Sequence, residues 1–157
     1  MRRLIPFVLF ACSVAMPALA GDNSVASVAV RAHFANRTAL TVSSHVLQFD
    51  VPQQGESTTT TVDFSAAART AAGEEIVLTV EALRGIDGPG GAADVETGVS
   101  YEGEGAGTLS GTMNPAAPSV VARWHGSGIH DGHLTFTLHT SAAGHYAVPV
   151  RFVISTP

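Results

Sequence analysis

The last fourteen residues carry the clearest structural signal of the chain: Gly144-His145-Tyr146-Ala147-Val148-Pro149-Val150-Arg151-Phe152-Val153-Ile154-Ser155-Thr156-Pro157. Apolar side chains occupy every second position, at Tyr146, Val148, Val150, Phe152 and Ile154. Because the side chains of a β-strand alternate between its two faces, the segment predicts a strand with one apolar face. That face must be buried against a sheet or against another molecule. Pro149 has no N–H, so we expect its position to lie at a sheet edge or a bulge.

Similar alternating segments run through the chain from residue 25 onward, between clusters of Gly, Pro, Asn and Asp. Only residues 66–72 could form a helix, of one or two turns, and 85–91 and 114–118 are predicted loops. Many short strands without helical crossovers are typical of a β-sandwich. We expect residues 21–157 to form one all-β domain, a single antiparallel β-sandwich that is immunoglobulin-like or pilin-like. The predicted strands are 25–34, 38–43, 45–51, 58–65, 75–83, 95–101, 106–112, 119–125, 133–140 and 146–155.

The N-terminus has the pattern of a secretory signal peptide. Arg2 and Arg3 precede an apolar stretch, and Ala18-Leu19-Ala20 matches the small-x-small pattern before a cleavage site. We therefore expect residues 1–20 to be removed, so that the mature chain begins at Gly21 and has no integral membrane segment. A retained anchor, or a lipoprotein attached at Cys12, are the alternatives. The expected location is secreted or periplasmic, which includes the cell surface.

Charge and cysteine content limit the possible partners and the bonds that can stabilise the domain. Removal of Arg2 and Arg3 from 8 basic residues leaves 6 against 13 acidic residues, a formal charge of −7, and the chain contains no Lys. Nucleic acid is excluded as a partner, because its binding rests on basic contacts to phosphate. The single cysteine, Cys12, leaves with the signal peptide, so the mature domain has no disulfide and depends on packing and hydrogen bonds.

Histidines cluster late in the chain and raise the question of a metal site. If 119–125 and 133–140 form a hairpin, His125 and His133 face each other across it, with His130 and Asp131 in the loop above. Imidazole and carboxylate at that spacing could hold Zn²⁺ or Cu²⁺. The alternative is that His133 and His139 fill the solvent face opposite Leu134, Phe136 and Leu138.

No catalytic motif is present. Ser127 lies in a glycine-rich turn without a nucleophile elbow, and Glu102 and Glu104 are flanked by glycines, as in a solvated segment. Trp124 shares a strand face with Val120 and Ala122, which predicts a core position. We expect a protein that is not an enzyme and has no cofactor.

The terminal segment resembles the closing strand of two families of exported subunits. Gly144, followed by apolar residues at Val150, Phe152 and Ile154, is similar to the terminal β-zipper of chaperone–usher pilins. Ala143-Gly144-His145-Tyr146, followed by Val148, also looks like the closing strand of spore coat protein U-like domains. Leu47-Gln48-Phe49-Asp50 is similar to their early L-x-F-G segment, with Asp50 in place of glycine.

The resemblance implies a structural or surface-assembly subunit whose fold lacks one strand, which a neighbouring subunit supplies by β-strand addition. The partners would be further copies of the chain or other exported subunits. Residues 25–34 would then be the donor, through Val28, Val30, Ala32 and Phe34. The alternative is that 25–34 is the first strand of its own sandwich. A second hypothesis for the function is a periplasmic or secreted binding module, for a metal ion through the late histidines or for a glycan.

Overall fold

Two antiparallel sheets make up the part of the chain that the computed structural model describes, residues 36–89, 91–92 and 98–156. All of these residues belong to one unit, His33–Pro157. The predicted signal peptide and the strand 25–34 lie outside the described residues. The strands are β1 (Arg37–Val42), β2 (Val46–Val51), β3 (Thr58–Arg69), β4 (Glu75–Ala82), β5 (Asp87–Gly88), β6 (Gly91–Ala92), β7 (Gly98–Glu104), β8 (Gly111–Thr112), β9 (Ser119–His125), β10 (Gly128–His139) and β11 (Gly144–Ser155).

The first sheet has the order β1-β3-β10-β7-β8, and the second has the order β6-β5-β11-β4-β9, with β2 also paired to β11. Buried side chains of both sheets form one apolar core between them, in which Phe136, Leu47 and Ile76 are fully buried. The described residues contain no helix. The expected all-β antiparallel sandwich is therefore confirmed.

The possible helix at 66–72 is a wrong prediction, because β3 continues as a strand to Arg69. Ala66 and Ala68 are buried while Ala67 between them is not, which is the alternation of a strand. β1 and β10 pair with this part of β3 on its two sides. Tertiary pairing thus overrides the helix propensity of a run of alanines.

The hairpin of 119–125 with 133–140, on which the metal hypothesis depends, is not formed. β9 pairs with β4 in the second sheet, whereas β10 lies between β3 and β7 in the first. The connection at Gly126 and Ser127 therefore crosses from one sheet to the other. Gly126 has a φ of +78°, and the Ser127 hydroxyl bonds both backbone groups of Thr70, which holds the crossing in place.

Other boundaries differ by a few residues. The predicted loop 85–91 contains β5 and the first residue of β6, which pair with each other. Only Gly111 and Thr112 of the predicted strand 106–112 belong to a named strand. Residues 107–109 instead bond to β9, through Arg123 and Val121. The segment 114–118 connects β8 to β9 outside the strands, as predicted.

Candidate functional site

Among the described strands of the second sheet, β11 has the longest run of apolar residues at alternate positions. Tyr146, Val148, Val150 and Phe152 are buried, with Phe152 only 8% exposed, and Ile154 is partly buried against the core. Arg151 and Ser155 are exposed on the opposite face. The facing predicted from the alternation is confirmed.

The two halves of β11 have different neighbours. Residues 144–149 pair with β2, from Gly144 opposite Val51 to Pro149 opposite Val46. Residues 150–155 pair with β4 along the other side of the strand. The hydrogen bonding on the β2 side of β11 ends at His45, the residue before β2. Its carbonyl accepts a hydrogen bond from the Val150 N–H at 2.9 Å.

Beyond Val150, one side of β11 has no strand beside it among the described residues. The N–H and C=O of a residue in an antiparallel strand point to the same side, and successive residues alternate. Since the Val150 N–H points toward His45, the backbone groups of Phe152 and Ile154 point to that side too. No backbone hydrogen bond from either residue on that side is present within the described chain.

β1 lies beside β11 without pairing with it, and among the described residues it pairs only with β3. We use the name seam for the unpaired side of residues 151–155 of β11 together with the adjacent β1. Leu40, Val42 and Ile154, which are partly buried, border it, so its floor is the margin of the apolar core.

Pro149 lies within β11, and the expected sheet edge is found on one side only: Val46 of β2 pairs with Pro149 on one side, and no named strand reaches it on the other. Its carbonyl accepts a hydrogen bond from the Leu83 N–H at 2.9 Å. The missing N–H of Pro149 would point to the same side, but β4 ends one residue earlier, at Ala82. The position therefore needs no ladder donor, which is why a proline is tolerated there.

Gly144 opens β11 with a φ of +144°, in a region that favours glycine. A Cβ at this position would overlap with Cγ of Pro89. The glycine that the resemblance singled out thus has a local steric reason, the close approach of the loop before β6. The proposed donor residues Val28, Val30, Ala32 and Phe34 lie outside the described residues.

The histidines considered for a metal do not converge. His125 is exposed at the end of β9, opposite Glu75 of β4. His130 stacks on Trp124 with ring centroids 4.8 Å apart, and its Nε2 is buried without a hydrogen-bond partner. His133 Nε2 lies 2.8 Å from Oε2 of Glu104. Within the described ranges, no group of three or more His, Cys, Asp or Glu residues is placed to hold a metal ion.

Two of the three residues considered for catalysis, Ser127 and Glu104, bond to other parts of the fold. The Ser127 hydroxyl is engaged by the Thr70 backbone, and Glu102 and Glu104 are on β7, with Glu104 paired to His133. Trp124 is 5% exposed, packs against Phe64 and donates from Nε1 to the Ala106 carbonyl at 2.6 Å. The predicted core position of Trp124 is confirmed.

Two elements of the seam were not singled out from the sequence. His45 ends the pairing of β2 with β11, and Leu40 and Val42 line the other wall. The sequence shows the alternation of Leu40 and Val42. It does not show that the chain passes from the first sheet to the second between β1 and β2. That crossing depends on pairing with β3 and β11, which are distant in sequence.

Within the described part of the chain, no helix is long and apolar enough to span a membrane.

Comparison with models of protein families and with curated protein sequences finds no match. Among solved structures, the chain is similar to one titled a family two carbohydrate esterase from Cellvibrio japonicus, with 12% identity and a TM-score of 0.30. The match covers 78% of this chain and 35% of that one, so the chain spans about a third of that protein's length.

Proposed function

We propose that the chain is an exported, non-enzymatic structural or surface-assembly protein that joins other copies, or other exported subunits, by β-strand addition at the seam. The observation that carries the proposal is the side of β11 beyond Val150, along which no described strand pairs. The backbone groups of Phe152 and Ile154 on that side can be satisfied by an added strand. Unpaired strand edges are the sites at which sheets accept another chain.

The apolar border of the seam supports the same proposal. An added strand would place alternate side chains over Leu40, Val42 and Ile154, which are only partly buried without it. Main-chain hydrogen bonds then supply affinity, and the alternating side chains supply specificity. An apolar donor strand fits this border better than a charged one.

Residues 25–34 fit the donor's requirements. Val28, Val30, Ala32 and Phe34 alternate, and the polar stretch Gly21-Asp22-Asn23-Ser24 precedes them in the mature chain. The segment would act in a neighbouring copy. If it instead completes its own sandwich, the seam is filled within one chain and the protein stays monomeric.

Size-exclusion chromatography with light scattering tests the proposal on the mature protein and on a form lacking residues 21–34. Strand addition between copies gives oligomers that the deletion abolishes. A synthetic peptide of residues 25–34 should then bind the shortened protein and raise its melting temperature.

A matched pair of substitutions sharpens the test. Val30→Asp places a charge on the apolar face of the donor, whereas Ala29→Asp places it on the other face. We expect Val30→Asp to abolish oligomers and Ala29→Asp to leave them. A stable monomer that is indifferent to the deletion, and whose shortened form does not bind the peptide, refutes strand addition.

A further inference from the structure

The two edges of the sandwich differ, because the chain closes one of them with its own backbone and leaves the seam at the other. On the side of β7 and β9, residues 107–109 bond to β9, and β8, which follows them, pairs with β7. One stretch of chain thus joins both sheets there. On the side of β1 and β11, no described segment pairs with both strands. The seam is therefore the edge at which an added strand meets free backbone groups.

β1 offers three residues to a strand at the seam. The Ser43 N–H donates to the Asp63 carbonyl at 2.9 Å, so the odd-numbered residues of β1 direct their backbone groups toward β3. Thr38, Leu40 and Val42 alternate with them, and their N–H and C=O groups point away from β3. Leu40 and Val42 also pack their side chains against the core. A donor with apolar residues at alternate positions suits both features.

The seam has a closed end and an open end. At the closed end the chain crosses from the first sheet to the second through residues 43–45, and the His45 carbonyl is bonded to the Val150 N–H. At the open end, where β1 begins at Arg37 and β11 finishes at Ser155, no described segment crosses between these two strands. A donor that is followed closely by a folded domain can therefore leave the seam only at the open end.

The segment 25–34 is badly placed to fill the seam of its own copy. Only two residues separate Phe34 from Arg37, the first residue of β1. A hairpin with that two-residue loop would place Arg31 opposite Leu40, and so turn a charge into the core and the apolar donor residues outward. A three-residue loop would restore the facing, but its last residue, Arg37, would need a positive φ. No described residue other than glycine has one.

The residue before β1 is also held on the side of this strand that faces away from the seam. The Asn36 side-chain amide donates to Oε2 of Glu74 at 2.7 Å. Glu74 lies in the connection from β3 to β4, and β3 is the neighbour of β1 on the side away from the seam. This bond opposes a reversal of the chain toward the seam, which leaves a neighbouring copy as the source of the donor.

On the basis of the strand addition proposed above, we infer that the donor of a neighbouring copy enters the seam antiparallel to β1 and parallel to β11, with Phe34 at the open end. Arg37 of the donating copy follows Phe34 by three residue steps, at most about 11 Å, so its domain lies just outside that end. A deeper register would draw Arg37 into the seam, although this residue already pairs within its own first sheet. The resulting register sets three donor residues opposite the three free residues of β1: Phe34 opposite Thr38, Ala32 opposite Leu40, and Val30 opposite Val42.

This arrangement is head-to-tail, because the donor and the seam are different surfaces of the same chain. Repetition of such a contact gives a filament of copies or a closed ring. Val28 lies beyond the three free residues of β1, at the closed end. In the mature protein, Val28→Asp should therefore keep the oligomers and Ala32→Asp should abolish them, as measured by size-exclusion chromatography with light scattering.

Engineered disulfides report the direction of the donor, since the chain has no cysteine after Cys12. Ala39 and Thr41 are exposed and bond through their backbone to β3, so each forms a non-hydrogen-bonded pair with the donor residue opposite it. The Cα atoms of such a pair are about 4.5 Å apart, within the range of a disulfide. We expect His33→Cys with Ala39→Cys, and Arg31→Cys with Thr41→Cys, to give ladders of intermolecular disulfides on non-reducing gels.

The same four positions in exchanged combination are the matched control. His33→Cys with Thr41→Cys, and Arg31→Cys with Ala39→Cys, are two residues out of register. Their Cα atoms would be about 7–8 Å apart, too far for a disulfide without movement of the backbone. Thermal melts of the four reduced variants confirm that each of them folds.

Disulfides in the control pairs show another direction or register and overturn the inference, while strand addition stands. Disulfides of the expected pairs within one copy show that the segment fills its own seam, and they overturn it too. Oligomers that form none of the four disulfides have the donor elsewhere, with the same consequence. A protein that is monomeric in the wild type and in every variant refutes strand addition itself, so the two proposals can fail separately.

Discussion

Replacing Phe152 by alanine tests the packing of the half of β11 that borders the seam. The Phe152 ring is 8% exposed and meets the ring of Phe136 edge-on, with centroids 6.4 Å apart. Truncation of a buried Phe to Ala costs about 3–5 kcal/mol, because transfer energy is lost and a cavity is left. The edge-on ring contact accounts for about 0.5–1.5 kcal/mol of that loss.

Equilibrium unfolding in urea measures the change, as the difference in free energy of unfolding at equal slope. Arg151→Ala is the matched control one residue away. Its guanidinium, 61% exposed, pairs with Glu81 on the outer face, and exposed ion pairs contribute at most about 1 kcal/mol. We therefore expect the Phe152 variant to lose several times more stability than the Arg151 variant. Equal losses in the two variants would show that the register assigned to β11 is wrong.

Four further results are expected. Gly144→Ala should destabilise the fold by about 1–3 kcal/mol in thermal melts, because the added Cβ meets Pro89 at an unfavourable φ, whereas Gly98→Ala, with open space around it, should not. Trp124 should fluoresce at a blue-shifted maximum in the folded protein, and a water-like maximum would contradict its burial. Burial raises the pKa of Tyr101 above 10.0, so the unfolded chain releases this proton first and stability falls as the pH rises above 10; Tyr101→Phe should flatten that alkaline loss in urea melts. Intact-mass measurement of the exported protein should give a chain that starts at Gly21, and retention of Met1 would refute cleavage there.

Local alternation predicted the strands well because it reflects burial directly. Tyr146, Val148, Val150 and Phe152 all face the core as their period-2 spacing indicates. The same signal failed at 66–72. Ala is small and has a high helix propensity, so a run of alanines does not indicate which side chains face the core of a strand. There the strand is imposed by two neighbours, β1 and β10, whose residues are distant in sequence.

The residues of the candidate site were harder to predict, because a site depends on which strands share a sheet. His125 and His133 are close in sequence but belong to strands of different sheets. Their spacing in the sequence therefore suggested a metal site that the fold does not assemble. Val42 and Ile154 are far apart in sequence, yet the pairing of β1 with β3 and of β11 with β4 brings both to the border of the seam. No local pattern contains that register.

The geometry of β11 limits what an added strand can do. β2 already occupies one side of the strand up to Pro149, and the His45 carbonyl closes that pairing at Val150. An incoming strand therefore reaches only the groups of Phe152 and Ile154 on β11, and the rest of a donor as long as 25–34 must pair with the free edge of β1. A short edge of this kind resists indiscriminate pairing, which is a common protection of exposed strands. We therefore expect selectivity for a donor strand, if one binds at the seam, to come from the two short edges and the apolar residues that border them.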